Sequence, residues 1–133
     1  MYLIDTNVWL ERLLDQDRPE EVGHFLGHIP SERLSITDFS FHSIGVVLSR
    51  LNETDALLRF VQDAFVDGAM GLIHLEPGDI ERLVRVMGRF KLDFDDAYQY
   101  VAAEKYNLTI VSLDSDFDRT ERGRKTPAEI LGR

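Results

Sequence analysis

Residues 1–10 read Met-Tyr-Leu-Ile-Asp-Thr-Asn-Val-Trp-Leu, in which a short apolar run meets three polar residues before apolar side chains resume. The run from Tyr2 to Ile4 predicts a short buried strand that ends at Asp5. Asn7 is a favourable N-cap, and the apolar residues after it recur at helical spacing, so we predict a helix that begins there. A strand that leads through a polar turn into a helix is typical of α/β proteins.

The same alternation of short strands and helices continues along the rest of the chain. Further strands are predicted at residues 34–36, 71–75 and 108–111. Further helices are predicted to begin at Pro19, at Thr37 and at Asp79, and to cover residues 54–69 and 94–106. Short strands separated by helices indicate a parallel sheet with helical crossovers. The predicted fold class is therefore α/β, with a short central parallel sheet of about four strands.

Length and composition agree with a single folded unit. The 133 residues contain no linker or repeat, and 44% of them are hydrophobic, so we expect one domain over residues 1–133. The first residues lack a basic stretch, and no apolar run approaches the roughly 20 residues of a membrane span. We therefore expect a cytoplasmic protein without membrane contact. Zero cysteines exclude thiolate metal sites, and a formal charge of −9 argues against generic nucleic-acid binding.

Four aspartates stand at positions where a predicted strand ends or a helix begins. Asp5 ends the first strand, Asp96 lies in the first turn of the helix before the fourth strand, and Asp114 and Asp116 follow that strand. Ligand sites of parallel sheets lie beyond the carboxyl ends of the strands, so these side chains converge if the strands are neighbours. Crowded carboxylates favour a hard cation, Mg²⁺ or Mn²⁺, which polarises a phosphate and activates water for attack. The alternative for each is an ordinary helix-start or turn carboxylate.

Two other motifs can be tested against the same residues. Residues 114–118 imitate the start of an EF-hand calcium loop, but Arg119 occupies the sixth position, where glycine is needed, and Lys125 the twelfth, where glutamate is needed. Asp5 could be a phosphate-accepting nucleophile, but haloacid-dehalogenase-like enzymes have a second aspartate where this chain has Asn7. A phosphatase that uses the acidic strand ends in another way stays open as a less favoured function.

Three sequence blocks together resemble a known family. They are Leu-Ile-Asp-Thr-Asn at 3–7, Asp-Asp-Ala-Tyr at 95–98 and Ile-Val-Ser-Leu-Asp-Ser-Asp-Phe at 110–117, and residues 126–131 resemble the closing segment of that family. The chain resembles the PIN domain, and most closely the VapC-type ribonuclease toxins of prokaryotic toxin–antitoxin pairs. The resemblance implies a three-layer α/β/α fold and a Mg²⁺- or Mn²⁺-dependent endoribonuclease that hydrolyses RNA with a metal-activated water.

The resemblance also assigns roles to particular residues. The metal-binding catalytic acids of the family correspond to Asp5, Asp96 and Asp114, with Asp116 as a further metal-binding acid. The polar residues that orient these ligands through hydrogen bonds correspond to Thr6, Asn7 and Ser112.

One position departs from the family pattern. The helix after the second strand usually begins with Thr-x-x-Glu, whereas here residues 37–40 read Thr-Asp-Phe-Ser and place Ser40 at the glutamate position. Asp38 is a candidate fourth metal ligand, and His42 is another candidate for the place of the missing carboxylate. The departure motivates a second hypothesis, in which the chain is a catalytically impaired PIN-fold module for binding or assembly.

A basic segment follows the last aspartates and is the candidate RNA-binding surface. Its cationic residues are Arg119, Arg122, Arg124 and Lys125. They are predicted to contact RNA phosphates, with a solvated loop as the alternative. The resemblance further implies a homodimer and a small antitoxin that covers the site.

Overall fold

The structure, a computed structural model, describes residues 1–14 and 19–132. Its strands are β1 (Tyr2–Ile4), β2 (Leu34–Thr37), β3 (Gly71–Ile73) and β4 (Thr109–Val111). Its helices are α1 (Thr6–Leu13), α2 (Pro19–His28), α3 (Asp38–Arg50), α4 (Thr54–Val61), α5 (Ile80–Phe90), α6 (Phe94–Tyr106) and α7 (Pro127–Ile130). Single 3-10 turns cover Ser31–Arg33, Pro77–Asp79 and Ser115–Arg119, and a π-helical turn covers Gln62–Val66.

The strands form one parallel sheet in the order β3-β2-β1-β4. In the register of β1 with β4, Leu3 lies opposite Ile110 and Ile4 opposite Val111. From β1 the chain moves to β2 on one side and later returns to β4 on the other side. The crevice between β1 and β4 is therefore the switch point at which an open parallel sheet binds its ligand.

Alternating residues of the inner strands enter two separate cores. Leu3 and Ile110 pack with α5 and α6 on one face, whereas Ile4 and Val111 pack with α1, α2 and α3 on the other. Because successive strand residues point to opposite faces, this alternation means that helices cover both sides of the sheet. The predicted three-layer α/β/α fold is confirmed. No helix in the described ranges is long and apolar enough to cross a membrane.

Local details differ from the sequence-based expectations at the ends of elements. The first helix begins at Thr6, so Asn7 is not its N-cap and uses its side chain elsewhere. The α-helical part of the predicted 54–69 helix ends at Val61 and continues as the π-helical turn. Asp79 occupies the predicted N-cap position of α5 but makes no capping bond with its side chain, because its carboxylate accepts from the backbone of Glu76 and closes the preceding turn. At Asn7 and at Asp79, a short polar side chain thus bonds to a partner other than the helix terminus next to it.

Candidate active site

An acidic cleft lies beyond the carboxyl ends of β1 and β4, where α1, α3 and α6 begin. Its volume is about 270 Å³. None of the described residues that line it is basic, and six are aspartates: Asp5, Asp93, Asp95, Asp96, Asp114 and Asp116. The structure therefore brings together the four aspartates singled out from the sequence, and it adds two neighbours from the start of α6.

Asp5 is the most deeply placed of these carboxylates, with only 5% of its surface exposed. Its Oδ2 accepts a hydrogen bond of 2.7 Å from Ser112 Oγ, and its Oδ1 accepts one from Gln99 Nε2. Burial raises the pKa of Asp5 above its usual value, while the bonds from Gln99 and Ser112 and the backbone of Thr6 act in the opposite direction. Asp5 is thus a buried acid whose two oxygens are held in fixed directions.

Ser112 joins Asp5 to the neighbouring strand end. Its hydroxyl oxygen accepts from Asn7 Nδ2 at 3.3 Å and from the backbone N–H of Asp114 at 2.9 Å, while donating to Asp5. Asn7 Oδ1 in turn accepts from the backbone of Leu113 at 3.2 Å. Of the three residues predicted to orient the acids, Ser112 bonds to Asp5 directly, Thr6 does so through its backbone, and Asn7 reaches Asp5 only by way of Ser112. The link spans the switch point and holds the ends of β1 and β4 together.

Three of the aspartates form a tighter triad. Carboxylate oxygens of Asp96, Asp114 and Asp116 all lie within 4.8 Å of one another. Asp96 sits in the first turn of α6, where the Asp93 side chain accepts from its backbone N–H at 2.9 Å. Asp114 and Asp116 are held on the 3-10 turn after β4, because Asp114 Oδ1 accepts from the backbone of Asp116 at 2.9 Å. Backbone caps thus set the geometry of the triad.

The triad carries more negative than positive charge, because Arg119 pairs with Asp116 at 3.1 Å while Asp96 and Asp114 make no ion pair with a described residue. Desolvation raises the pKa of Asp96 to about 7, and the charges of Asp93, Asp5, Asp114 and Asp116 act in the same direction. Desolvation also raises the pKa of Asp95. In the sequence-based expectation Asp5, Asp96 and Asp114 share one ion. The structure groups Asp116 with Asp96 and Asp114, and it places Asp5 beside this triad in the same cleft.

The residues fit a divalent cation. Within the described ranges, three buried side-chain polar atoms make no hydrogen bond, and two of them, Ser40 Oγ and Gln99 Oε1, belong to residues that line the cleft. Buried polar atoms without partners are uncommon and call for an explanation such as an ion or a water. With the triad they form an oxygen-only donor set, which suits Mg²⁺ or Mn²⁺.

Neither candidate for the missing carboxylate lines the cleft. Asp38 is exposed, and its Oδ1 accepts from the Tyr98 hydroxyl at 2.8 Å and from the backbone of Phe39. His42 is also exposed and lies on another surface, beside Phe41. The reason is helical geometry, since these residues lie two positions either side of Ser40, which is the one that faces the cleft. Asp38 is therefore not placed to bind an ion together with the triad.

The basic segment 119–125 is largely engaged in tertiary contacts. Arg119 bonds to Asp116 and to two backbone carbonyls at the end of α5. Arg122 donates to the Leu108 carbonyl, and Arg124 donates to the Ser112 carbonyl and to both oxygens of Asp118. Lys125 lies 4.0 Å from Glu129, with its side chain 57% exposed. Arg119 thus links the segment to the end of α5, and Arg122 and Arg124 link it to the residues that flank β4, which the local sequence did not indicate.

Sequence reasoning missed four polar residues that line the cleft: Ser43, Asp93, Asp95 and Gln99. Helical spacing could have found two of them, because Ser43 lies three positions after Ser40 and Gln99 three after Asp96. Asp93 precedes a predicted helix start, which is a signal for a cap and not for a site. Asp95 adjoins Asp96 and carries no separate signal.

The fold and the cleft define an α/β protein with an acidic site at the carboxyl ends of its parallel strands. The PIN-domain family model matches residues 2–123, so the chain belongs to the PIN-domain family, whose members are nucleases. This confirms the family inferred from the three sequence blocks. No curated protein sequence matches the chain.

Solved structures share the fold at low sequence identity. A toxin–antitoxin complex from Klebsiella pneumoniae aligns with a TM-score of 0.76 at 21% identity, over 96% of this chain and 98% of that chain. FitAcB from Neisseria gonorrhoeae gives 0.76 at 19%, over 96% and 98%. VapC20 from Mycobacterium tuberculosis, described as a toxin that cleaves the sarcin–ricin loop, gives 0.74 at 15%, over 89% and 93%. At these identities the likeness establishes the fold.

Proposed function

We propose that this PIN-domain protein is a Mg²⁺- or Mn²⁺-dependent endoribonuclease and the toxin of a toxin–antitoxin pair. The observation that carries the proposal is the triad of Asp96, Asp114 and Asp116, whose carboxylate oxygens lie within 4.8 Å of one another in a cleft without basic residues. Several acids with raised pKa values at one site are the usual mark of a functional centre. We also propose that the chain is a single domain and acts in the cytoplasm.

The division of labour follows from the contacts. Asp96, Asp114 and Asp116 would hold the ion, which supplies polarisation of the phosphate and an acidified water. Asp5, held by Gln99 and Ser112, adds a fixed negative charge beside the triad. Rigid positioning of such groups limits the reorganisation needed during reaction. The same residues, without the ion, would repel the phosphates of RNA, so we propose that binding of RNA also depends on the metal.

Partner proteins are proposed on the strength of the relatives. Structures similar to this chain include a toxin–antitoxin complex. We propose that a small antitoxin neutralises this protein by covering the acidic cleft, and that the chain forms a homodimer. A basic side chain would suit the cleft, because the pair of Arg119 with Asp116 is the one ion pair that the described residues make with the six aspartates.

The test is cleavage of single-stranded and structured RNA with Mn²⁺, comparing the wild type with Asp5→Asn and Asp96→Asn. The matched control is Glu104→Gln, which changes an acid further along the helix of Asp96, outside the cleft. We expect cleavage by the wild type and the control, and loss of cleavage in both aspartate variants and in excess chelator. Equal cleavage by all four proteins would contradict the proposal.

A second function is favoured by Ser40, which stands where the family usually has a glutamate and is buried in the cleft wall. Without that carboxylate the protein could keep the fold and a binding role while losing catalysis. The same assay decides, because this alternative predicts no Mn²⁺-dependent cleavage by the wild type. Hydrolysis of a small phosphomonoester without cleavage of RNA would instead indicate a phosphatase.

A further inference from the structure

Three aromatic side chains form a cluster at the edge of the acidic cleft. Phe39 lines the cleft, and its ring centre lies 6.0 Å from that of Phe94 and 5.5 Å from that of Tyr98. Phe94 and Tyr98 are 6.2 Å apart. Phe94 stands between Asp93 and Asp95 in sequence, both of which line the cleft, and 41% of its surface is exposed. An exposed phenyl ring therefore lies between two of the aspartates that line the cleft.

The neighbours of Phe94 hold their positions. Tyr98 is buried, and its hydroxyl donates to Asp38 and accepts from the backbone of Leu75 at 2.9 Å. Phe39 packs against the core beneath α6. Offset and tilted aromatic contacts at these distances favour a defined ring orientation. The ring of Phe94 thus packs against Phe39 and Tyr98 and is partly exposed to solvent.

Positive charge at this edge is limited. The described lining of the cleft contains no basic residue, the nearby Arg119, Arg122 and Arg124 bond to carbonyls and carboxylates, and Lys91, three positions before Phe94, is exposed. Stacking of a base on an aromatic ring needs no positive charge and tolerates every base. Phe39 is the one aromatic residue among the described residues that line the cleft, so a base next to a bound phosphate would meet aromatic rings at the edge where Phe39 lies.

We propose that Phe94, backed by Phe39 and Tyr98, stacks against an unpaired base of single-stranded RNA whose phosphate enters the acidic cleft. The inference rests on the proposed ribonuclease function and deepens it, because it makes an unpaired base beside the scissile phosphate a requirement of the substrate. Double-stranded RNA keeps its bases stacked within the helix and would be a poor substrate.

The test uses Phe94→Leu, which keeps an apolar side chain without an aromatic face, and Phe94→Trp, which restores one. The matched control is Tyr106→Leu, because Tyr106 is 42% exposed at the opposite end of the same helix. The probe is a short single-stranded oligoadenylate with Mn²⁺, used intact and with one abasic site at successive positions. Thermal melting of each variant confirms that the fold is kept.

We expect KM to rise about tenfold in Phe94→Leu with little change in kcat, and to return close to the wild-type value in Phe94→Trp. The wild type should also show one position where an abasic site raises KM by a similar factor. In Phe94→Leu that position should lose its effect, because the base no longer has a partner. Tyr106→Leu should match the wild type throughout.

The outcomes separate this inference from the proposed function. Equal KM values for the wild type and Phe94→Leu during Mn²⁺-dependent cleavage would overturn the stacking role and leave the ribonuclease intact. Binding of the intact oligonucleotide without cleavage, measured by fluorescence anisotropy and weakened in Phe94→Leu, would support stacking while the ribonuclease proposal fails. A change in oligomeric state with unchanged RNA affinity would assign the ring to a protein interface and overturn the inference, as would absence of both binding and cleavage.

Discussion

The two ends of helix α6 carry acidic residues in opposite electrostatic settings. At its start, desolvation and neighbouring carboxylates raise the pKa of Asp96 to about 7. Near its end, Glu104 accepts two hydrogen bonds from Arg82 on α5, and these bonds lower its pKa. The adjacent Lys105 pairs with Asp79, whose pKa is also lowered. The charges at one end of the helix are paired within the chain, whereas the aspartates at the other end make no ion pair with a described residue.

The difference indicates that the unpaired carboxylates of the cleft lower the free energy of unfolding of the metal-free protein. A surface pair such as Arg82 with Glu104 contributes at most about 1 kcal/mol, but it leaves no charge unbalanced. Buried like charges oppose folding until a proton or an ion neutralises them. Such an arrangement is typical of sites where function opposes stability. Substitutions at either end of α6 test this difference.

The largest effect is expected from removing one member of the triad. Asp96→Asn should weaken Mn²⁺ binding by more than about 100-fold, because it removes a charged ligand and not merely a partner of one. Isothermal titration calorimetry measures the affinity. Glu104→Gln, on the same helix, should leave it within a factor of about two. An affinity that Asp96→Asn does not change would remove this residue from the metal centre.

A smaller loss is expected when a side chain that orients Asp5 is removed. Gln99→Leu deletes the amide that donates to Asp5 Oδ1, and the Mn²⁺ affinity and rate of cleavage should fall by about 10- to 100-fold. Gln62→Leu is the matched control, since Gln62 Nε2 donates to Asp67 on an exposed turn far along the chain. Similar losses in both variants would show that the effect is general destabilisation and not positioning of Asp5.

The metal-free protein should lose stability as the pH rises from about 4 to about 7. Asp96 has a raised pKa of about 7 in the folded state, against 3.8 as its ordinary value, so the folded state binds the extra proton. The stabilisation from that proton is fully present below about pH 4, where both states bind it, and is lost progressively until the pH passes about 7. Thermal melting in chelator should therefore show a decline that Asp96→Asn flattens.

Saturating Mn²⁺ should cancel the part of this dependence that Asp96 causes. Metal ligands must be deprotonated, so the gain in melting temperature from Mn²⁺ should grow between about pH 4 and about pH 7. A wild-type melting temperature in chelator that rises over the same interval would contradict the raised pKa of Asp96.

The smallest effect is expected at the neutralised end of α6. Arg82→Gln breaks a bidentate pair whose side chains are both 37% exposed, and it should lower the free energy of unfolding by at most about 1 kcal/mol. Chemical denaturation measures the change, and Mn²⁺ affinity should stay at the wild-type value. A large loss of metal binding in this variant would mean that the two ends of the helix are coupled.

Much of the fold could be predicted from local patterns. The range predicted for the sixth helix, 94–106, agrees with α6, and the predicted strands agree with the sheet to within two residues at each end. Apolar runs and helical spacing carry this information within a few neighbouring residues. The errors at Asn7 and Asp79 arose where a short polar side chain had a choice of partners. Asn7 bonds to Ser112, 105 residues away, which no local pattern reveals.

The position of the site was predictable from the sequence, but the set of residues that form it was only partly so. Asp5, Asp96, Asp114 and Asp116 were expected at the strand ends, and all four line one cleft. Asp38 was expected among them, but it does not line the cleft, and its carboxylate accepts a hydrogen bond from the Tyr98 hydroxyl. The arginines of residues 119–124 were predicted to bind RNA. In the structure each of them donates a hydrogen bond to a backbone carbonyl of another part of the chain.

By itself the sequence determined the PIN-domain family, the order of strands and helices, and the edge of the sheet at which acids collect. The family follows from the resemblance of three sequence blocks, whereas the elements and the acidic edge follow from periodicity and spacing, which act over short stretches of chain. Only the tertiary structure decided that Asp116 joins Asp96 and Asp114 while Asp5 is held beside them, and that the arginines nearby are engaged. Those outcomes depend on distances and desolvation across the junction of β1 and β4, where residues about a hundred positions apart become neighbours.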